Sequence, residues 1–181
     1  MANKLVTVAA LAVGGFLLSK TLKKSNASGM TSSVTESIDV NVPVSTAYNQ
    51  WTQFEDFPQF MESVHEIRQI DDTHLHWRAD VAGKEEQWVA EITEQIPDQR
   101  IAWRSTGGVQ NAGVATFHRI SDSMTRVTLQ MDYSPQSIDE KIGDALGLVR
   151  MQLKRNLNRF KELLESRGVE TGAWRGAVTQ H

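Results

Sequence analysis

The sequence predicts an α+β fold, a curved antiparallel sheet wrapped around a long C-terminal helix. Three observations lead there. Six segments between Ser63 and Tyr133 alternate apolar and polar residues and are parted by turn signals. A stretch from Ser137 to Arg167 carries apolar residues at helical spacing. Trp77, Trp88 and Trp103 all fall on the apolar phase of consecutive segments, so one side of the sheet is heavily apolar.

The elements follow in order. "SIDVNVPV" alternates Ile38, Val40 and Val42 with polar neighbours, a half-buried strand that Pro43 ends. "STAYNQWTQFEDFPQFM" reads as a short helix with Ser45 as N-cap, broken before Pro58 and followed by a second short turn. "SVHEIRQI" and "HLHWRADV" are strands separated by "DDT". "EEQWVAEIT" places Glu86, Trp88, Ala90 and Ile92 on one face, and "RIAWRS" places Ile101, Trp103 and Ser105 together. A Gly-rich "TGGVQ" leads to "NAGVATFHRI", and "SDS" turns the chain into "TRVTLQMDY", with Val127, Leu129, Met131 and Tyr133 on one face. Strands joined in series by short turns make an antiparallel meander.

"SIDE" (Ser137 to Glu140) is a capping-box pattern. Ile142, Leu146, Val149, Leu153, Phe160 and Leu164 then recur at helical spacing until Gly168. The helix has about 28 residues and is ~42 Å long at 1.5 Å per residue. Its apolar stripe needs a partner, and the inner face of the sheet is the one large apolar surface available. A curved sheet wrapped around such a helix leaves space between them, and the inward residues of the strands face it.

The 181 residues suggest one domain with additions, and 40% hydrophobic residues suffice for a core. We divide the chain into a hydrophobic N-terminal helix with basic flank (1–24), a flexible linker (25–33), the folded domain (34–167) and a flexible tail (168–181) in which Trp174 stands alone. Leu5–Leu18 holds no charged residue, and Lys20, Lys23 and Lys24 follow it. The favoured reading is a single-pass membrane anchor with the domain on the cytoplasmic side. A signal peptide cleaved before Ser28 and a helix buried in protein are the alternatives.

From Met30 to Ile138 there are 7 Lys+Arg against 16 Asp+Glu, which argues against nucleic acid as a partner. The lack of cysteine removes disulfides, thiol nucleophiles and thiolate zinc sites. His74 and His76 are two residues apart with Arg78 beside them, a poor basis for a metal site. The sequence has no phosphate-binding loop, dinucleotide fingerprint or Ser-His-acid order, and it calls for no cofactor.

Three stretches resemble a known family: "VPVSTAYNQWTQFEDFPQFM", "VHEIRQIDDTHLHWRADVAGKEEQWVAEITEQIPDQRIAWRSTGG" and "GVATFHRISDSMTRVTLQMDY". Over Val34 to Arg167 the chain resembles the START-like, or SRPBCC, superfamily with its helix-grip fold. More narrowly it resembles the polyketide cyclase/dehydrase and coenzyme Q-binding-protein START-domain group. The resemblance implies a deep hydrophobic cavity and a ligand such as a lipid, isoprenoid quinone or polyketide-like compound. It does not select one, because function lives in the site and not in the fold.

The candidate ligand-binding residues are Trp77, Trp88 and Trp103, joined by Phe117, Met131 and Tyr133 on the later strands and by Leu146 and Val149 on the helix. Glu86 and Ser105 are the candidate polar groups. Glu86 shares the inward phase of Trp88, so it is expected in a low-dielectric setting as an anchor for a polar head or as an acid/base. The leading expectation is a membrane-tethered binding module for a hydrophobic small molecule. The alternatives are a polyketide cyclase/dehydratase-type enzyme with Glu86 as catalyst, and an accessory interaction protein with a filled core.

Overall fold

The computed structural model describes residues 32–81, 83–133 and 142–179. The N-terminal helix expected over 1–24, most of the linker and the capping box at Ser137–Glu140 lie outside the described residues. Among the described residues, no helix is long and apolar enough to cross a membrane.

The order is β1 (Ser32–Val40), α1 (Val44–Trp51), a 3₁₀ helix (Phe54–Gln59), β2 (Val64–Gln69), β3 (His74–Val81), β4 (Lys84–Ile96), β5 (Arg100–Gly107), β6 (Asn111–Ser121), β7 (Met124–Tyr133) and α2 (Ile142–Arg167). Every segment read from alternation is a strand. β1 starts at Ser32, inside the expected linker, because it pairs with β7 along its whole length, Ser32 opposite Tyr133 and Val40 opposite Thr125.

The seven strands form one antiparallel sheet in the order β1-β7-β6-β5-β4-β3-β2. β2 to β7 are a meander, and β1 closes onto its far edge. β1 and β2 are neighbours in the chain yet lie at opposite edges, so α1 and the 3₁₀ helix must carry the chain between them. Register shifts in β2, β4 and β6 bend the strands and curl the sheet into a half-barrel.

α1 does not start with a serine cap. Pro43 occupies the N-cap position and no side chain caps the helix. Pro43, at φ −57, makes the junction from extended chain, and its carbonyl accepts from the Ala47 N–H at 3.1 Å. Ser45 therefore falls inside the first turn. The helix delivers Trp51, which is fully buried, into an aromatic cluster with Phe57, Phe60 and Phe160, with ring centroids 5.0–6.0 Å apart.

α2 lies on the concave face, and its two halves meet different surroundings. Leu153, Leu157, Phe160 and Leu164 are buried in the core. Nearer the start of the helix, Leu146 and Val149 are half-buried, while Leu148 and Met151 are exposed. On one flank Arg150 and Lys154 share Glu36, and on the other Arg155 and Arg159 share Glu62. Gly168, at φ 70, ends the helix in the left-handed conformation, and its N–H bonds the Leu164 carbonyl at 2.8 Å.

The tail is not loose over the residues described. Thr171 bonds Gln50 and Asp56, and the Trp174 N–H donates to Thr52 Oγ1 at 3.1 Å. Arg175 donates to both carboxylate oxygens of Asp98 and lies 5.7 Å from the centre of the Tyr48 ring. Val178 exchanges two backbone hydrogen bonds with Gln95, on a stretch of β4 that extends past the end of β3. An unpaired strand edge offers free N–H and C=O groups, and this segment satisfies one pair of them.

Candidate functional site

β3 and β4 place Trp77 directly opposite Trp88, and the two rings stack 5.7 Å apart at 12°. One strand further, Trp103 pairs with Gly113 on β6. A Cβ at Gly113 would lie 2.3 Å from the Trp103 ring and 2.8 Å from Met131 Sδ, so only glycine lets the indole approach β6 this closely. The three tryptophans are 7–9% exposed and face the same side, as alternation requires.

Between this wall and α2 is a cavity of about 490 Å³. Trp77, Trp88 and Trp103 line it, with Leu129 and Met131 from β7 and Val149 and Leu153 from α2. Val109 and Gln110, from the Gly-rich connection between β5 and β6, also line it, as does the largely exposed Leu148. The size suits a small organic ligand, and the predominantly apolar wall suits an apolar one.

The polar residues of the wall fall in two groups, Gln110 and Asn111 at the β5–β6 connection and Ser63, Asp80, Gln152 and Asn156 near the β2–β3 side of α2. Gln152 Nε2 donates to Ser63 Oγ at 2.6 Å, and Asn156 is the next residue of α2 on that face. Among the described residues Asp80 is the one charged residue on the wall. It sits on the outward phase of β3, and its carboxylate meets His65 Nε2 at 3.0 Å.

Of the expected site residues, Trp77, Trp88, Trp103, Met131 and Val149 come together on the wall. Phe117 belongs to the core instead, packed edge-on to Tyr48 at 5.5 Å and near Trp51 at 6.1 Å. Leu146 packs against the core without lining the cavity. The side chain of Tyr133 lies outside the described residues. Ser105 does not reach the cavity, because its Oγ accepts from the Asn111 N–H at 3.1 Å and holds the two ends of the β5–β6 connection together.

Glu86 requires a correction. Its phase is as expected, since it pairs with the buried Ala79 across β3 and β4. The residue is nevertheless exposed and absent from the wall, although Ala79 opposite it lines the cavity. The low-dielectric setting expected for its carboxylate does not exist there.

Alternation gives the strand residues but is silent about helix residues between apolar positions and about turns, and so misses Asn156 and Gln152 on α2 and Ser63 before β2. A signal for Asn156 was present: it lies between Leu153 and Leu157 on the inward arc of the helix. His74 is engaged locally, with Nδ1 3.0 Å from Asp71. The Asp71 carboxyl is held down to about 2, chiefly by the Thr73 N–H and then by His74. Burial raises the Tyr48 hydroxyl, opposed in part by the hydrogen bond from Gln95.

The architecture is that of solved START-like proteins. A START superfamily protein from Mycobacterium smegmatis superposes with a TM-score of 0.67 at 11% identity, covering 75% of this chain and 98% of its own. The Zhui aromatase/cyclase from Streptomyces sp. R1128 superposes with a TM-score of 0.58 at 15% identity, covering 80% of this chain and all of its own. At the sequence level, an uncharacterized 17.2 kDa protein from Streptomyces lincolnensis is 59% identical over 148 residues, 81% of this chain and 99% of that protein. Residues 40–162 match the family described as polyketide cyclase / dehydrase and lipid transport. The helix-grip fold, the cavity between sheet and helix and this match agree, and the chain belongs to the polyketide cyclase/dehydrase and lipid transport family.

Proposed function

We propose that the protein binds a hydrophobic small molecule in the cavity between the sheet and α2. The observation that carries this reading is the tryptophan-lined space of about 490 Å³ beside an otherwise tightly packed core. A filled core would close such a space, since interiors pack to near crystal density. Binding would draw on apolar burial at about 25 cal/mol per Å². Membership of a family that covers cyclases and lipid transport supports a lipid, isoprenoid quinone or polyketide-like ligand. The test is native mass spectrometry of the purified protein, followed by tryptophan emission on adding apolar ligands. Failure of lipids, quinones and polyaromatic compounds alike to shift either emission or melting would remove the reading.

The apolar Leu5–Leu18 stretch and the lysines after it support a finer form of this proposal, a module tethered to a membrane with its domain in the cytoplasm. A tether would keep the cavity near a ligand dissolved in the bilayer. Fractionation should place the full chain with membranes and a chain beginning at Met30 in the soluble fraction. Recovery of a secreted chain starting at Ser28 would contradict the tether.

A further inference from the structure

Asn156 is 7% exposed and lies on the cavity wall. Among the described residues its amide has no hydrogen-bond partner. Three other buried nitrogens, Trp51 Nε1, Trp77 Nε1 and His76 Nδ1, also lack partners but are sealed from solvent by protein. The Asn156 amide is not among these sealed groups, and the residue lines the cavity. Its neighbour one turn earlier differs, because Gln152 is exposed and its Nε2 already donates to Ser63.

An amide on the cavity wall without a protein partner offers two donors and one acceptor to whatever enters. No lysine, arginine or histidine joins it on the wall among the described residues. The charged residue there is Asp80, a carboxylate already held by His65. An anionic head drawn to Asn156 would lose its hydration, gain one neutral amide and meet no cation. A hydroxyl, phenol or ketone oxygen would lose far less and could be matched by the amide.

We propose that Asn156 is the recognition point for an uncharged, oxygen-bearing head on the bound molecule, and that the cavity selects such ligands over carboxylates and phosphates. This rests on the cavity being a ligand site and adds the chemical class of the ligand's polar end. Apolar burial on the tryptophan wall supplies affinity, and Asn156 fixes which end enters and what it carries.

Three probes built on one ring system test this: naphthalene, 2-naphthol and 2-naphthoate, titrated at pH 7 into the full chain while tryptophan emission is followed. The expected result is that 2-naphthol binds at least ~10-fold more tightly than 2-naphthoate. Asn156→Leu, which keeps volume but removes the amide, should weaken 2-naphthol by on the order of 10-fold and leave naphthalene unchanged. Asn156→Ala provides the same comparison if the leucine variant does not fold. Equal binding of 2-naphthol and 2-naphthoate to the unaltered protein would overturn the proposal. Unchanged 2-naphthol affinity in a folded Asn156 variant would also overturn it. A protein that binds none of the three, and none of the lipids and quinones either, would overturn the ligand-cavity reading itself, an outcome distinct from either.

Discussion

Trp77 and Trp88 face each other across neighbouring strands with rings 5.7 Å apart and 12° from parallel, and both line the cavity. The pair is held from behind by Phe57, whose ring meets Trp77 edge-on at 5.9 Å. Trp77 thus packs on the 3₁₀ helix on one side and lines the cavity on the other, and Trp88 stacks on it as both core and wall.

Truncating one of them should affect both. Trp88→Ala is expected to lower stability by ~3 kcal/mol, the low end for a buried large aromatic because the cavity already borders it. It should also weaken apolar ligands. Trp174→Ala lies away from the cavity and should leave binding unchanged. Thermal melting and ligand titration on the two variants make the comparison, and equal loss of binding in both would contradict the assigned wall.

Gly113 should be intolerant of any side chain. A Cβ there would approach the Trp103 ring to 2.3 Å, so Gly113→Ala must displace the indole or the strand. The expected cost is about 1–3 kcal/mol, typical of overpacking. Trp103→Leu in the same protein should recover part of it, because the two residues are in contact and their effects do not add. A double-mutant cycle by denaturant unfolding measures the coupling, and strict additivity would mean that the indole does not rest on Gly113.

The strands were legible because half-buried strands alternate with a period of two, and six consecutive segments did so. The tryptophan wall was legible for the same reason. Glu86 misled because phase reports which face a residue shares but not how far the cover over that face extends. The ordered tail was not legible, since Thr171, Trp174, Arg175 and Val178 have no periodicity and acquire their role from partners up to 126 residues away. Asn156 was hidden by the habit of reading a helix through its apolar stripe.

Removing the tail should therefore be costly. A chain ending at Gly168 loses the Arg175–Asp98 pair, the bonds to Gln50 and Thr52, and the Val178 pairing with β4. The groups left behind on Gln50 and Gln95 are buried, so the loss is expected to be on the order of 1–3 kcal/mol. Hydrogen exchange provides a local readout, because the Gln95 N–H that now donates to Val178 at 2.7 Å should exchange faster. Unchanged melting and unchanged exchange at Gln95 would show that the tail is not held in solution.

Asp71 gives a prediction about acid stability. Its carboxyl is lowered from 3.8 to about 2 by hydrogen bonds from the Thr73 N–H, the His74 side chain and the His74 N–H. A carboxylate whose folded pKa is depressed binds its proton more readily in the unfolded chain. Its contribution is therefore present above about pH 4 and is lost as pH falls through about 2. The group is exposed, so the effect on stability is small, and the carboxyl itself is the better observable. NMR titration of the Asp71 side chain should give a midpoint near 2, and His74→Ala should move it upward. A midpoint at the ordinary aspartate value in the unaltered protein would mean that the turn between β2 and β3 is not closed by this carboxylate.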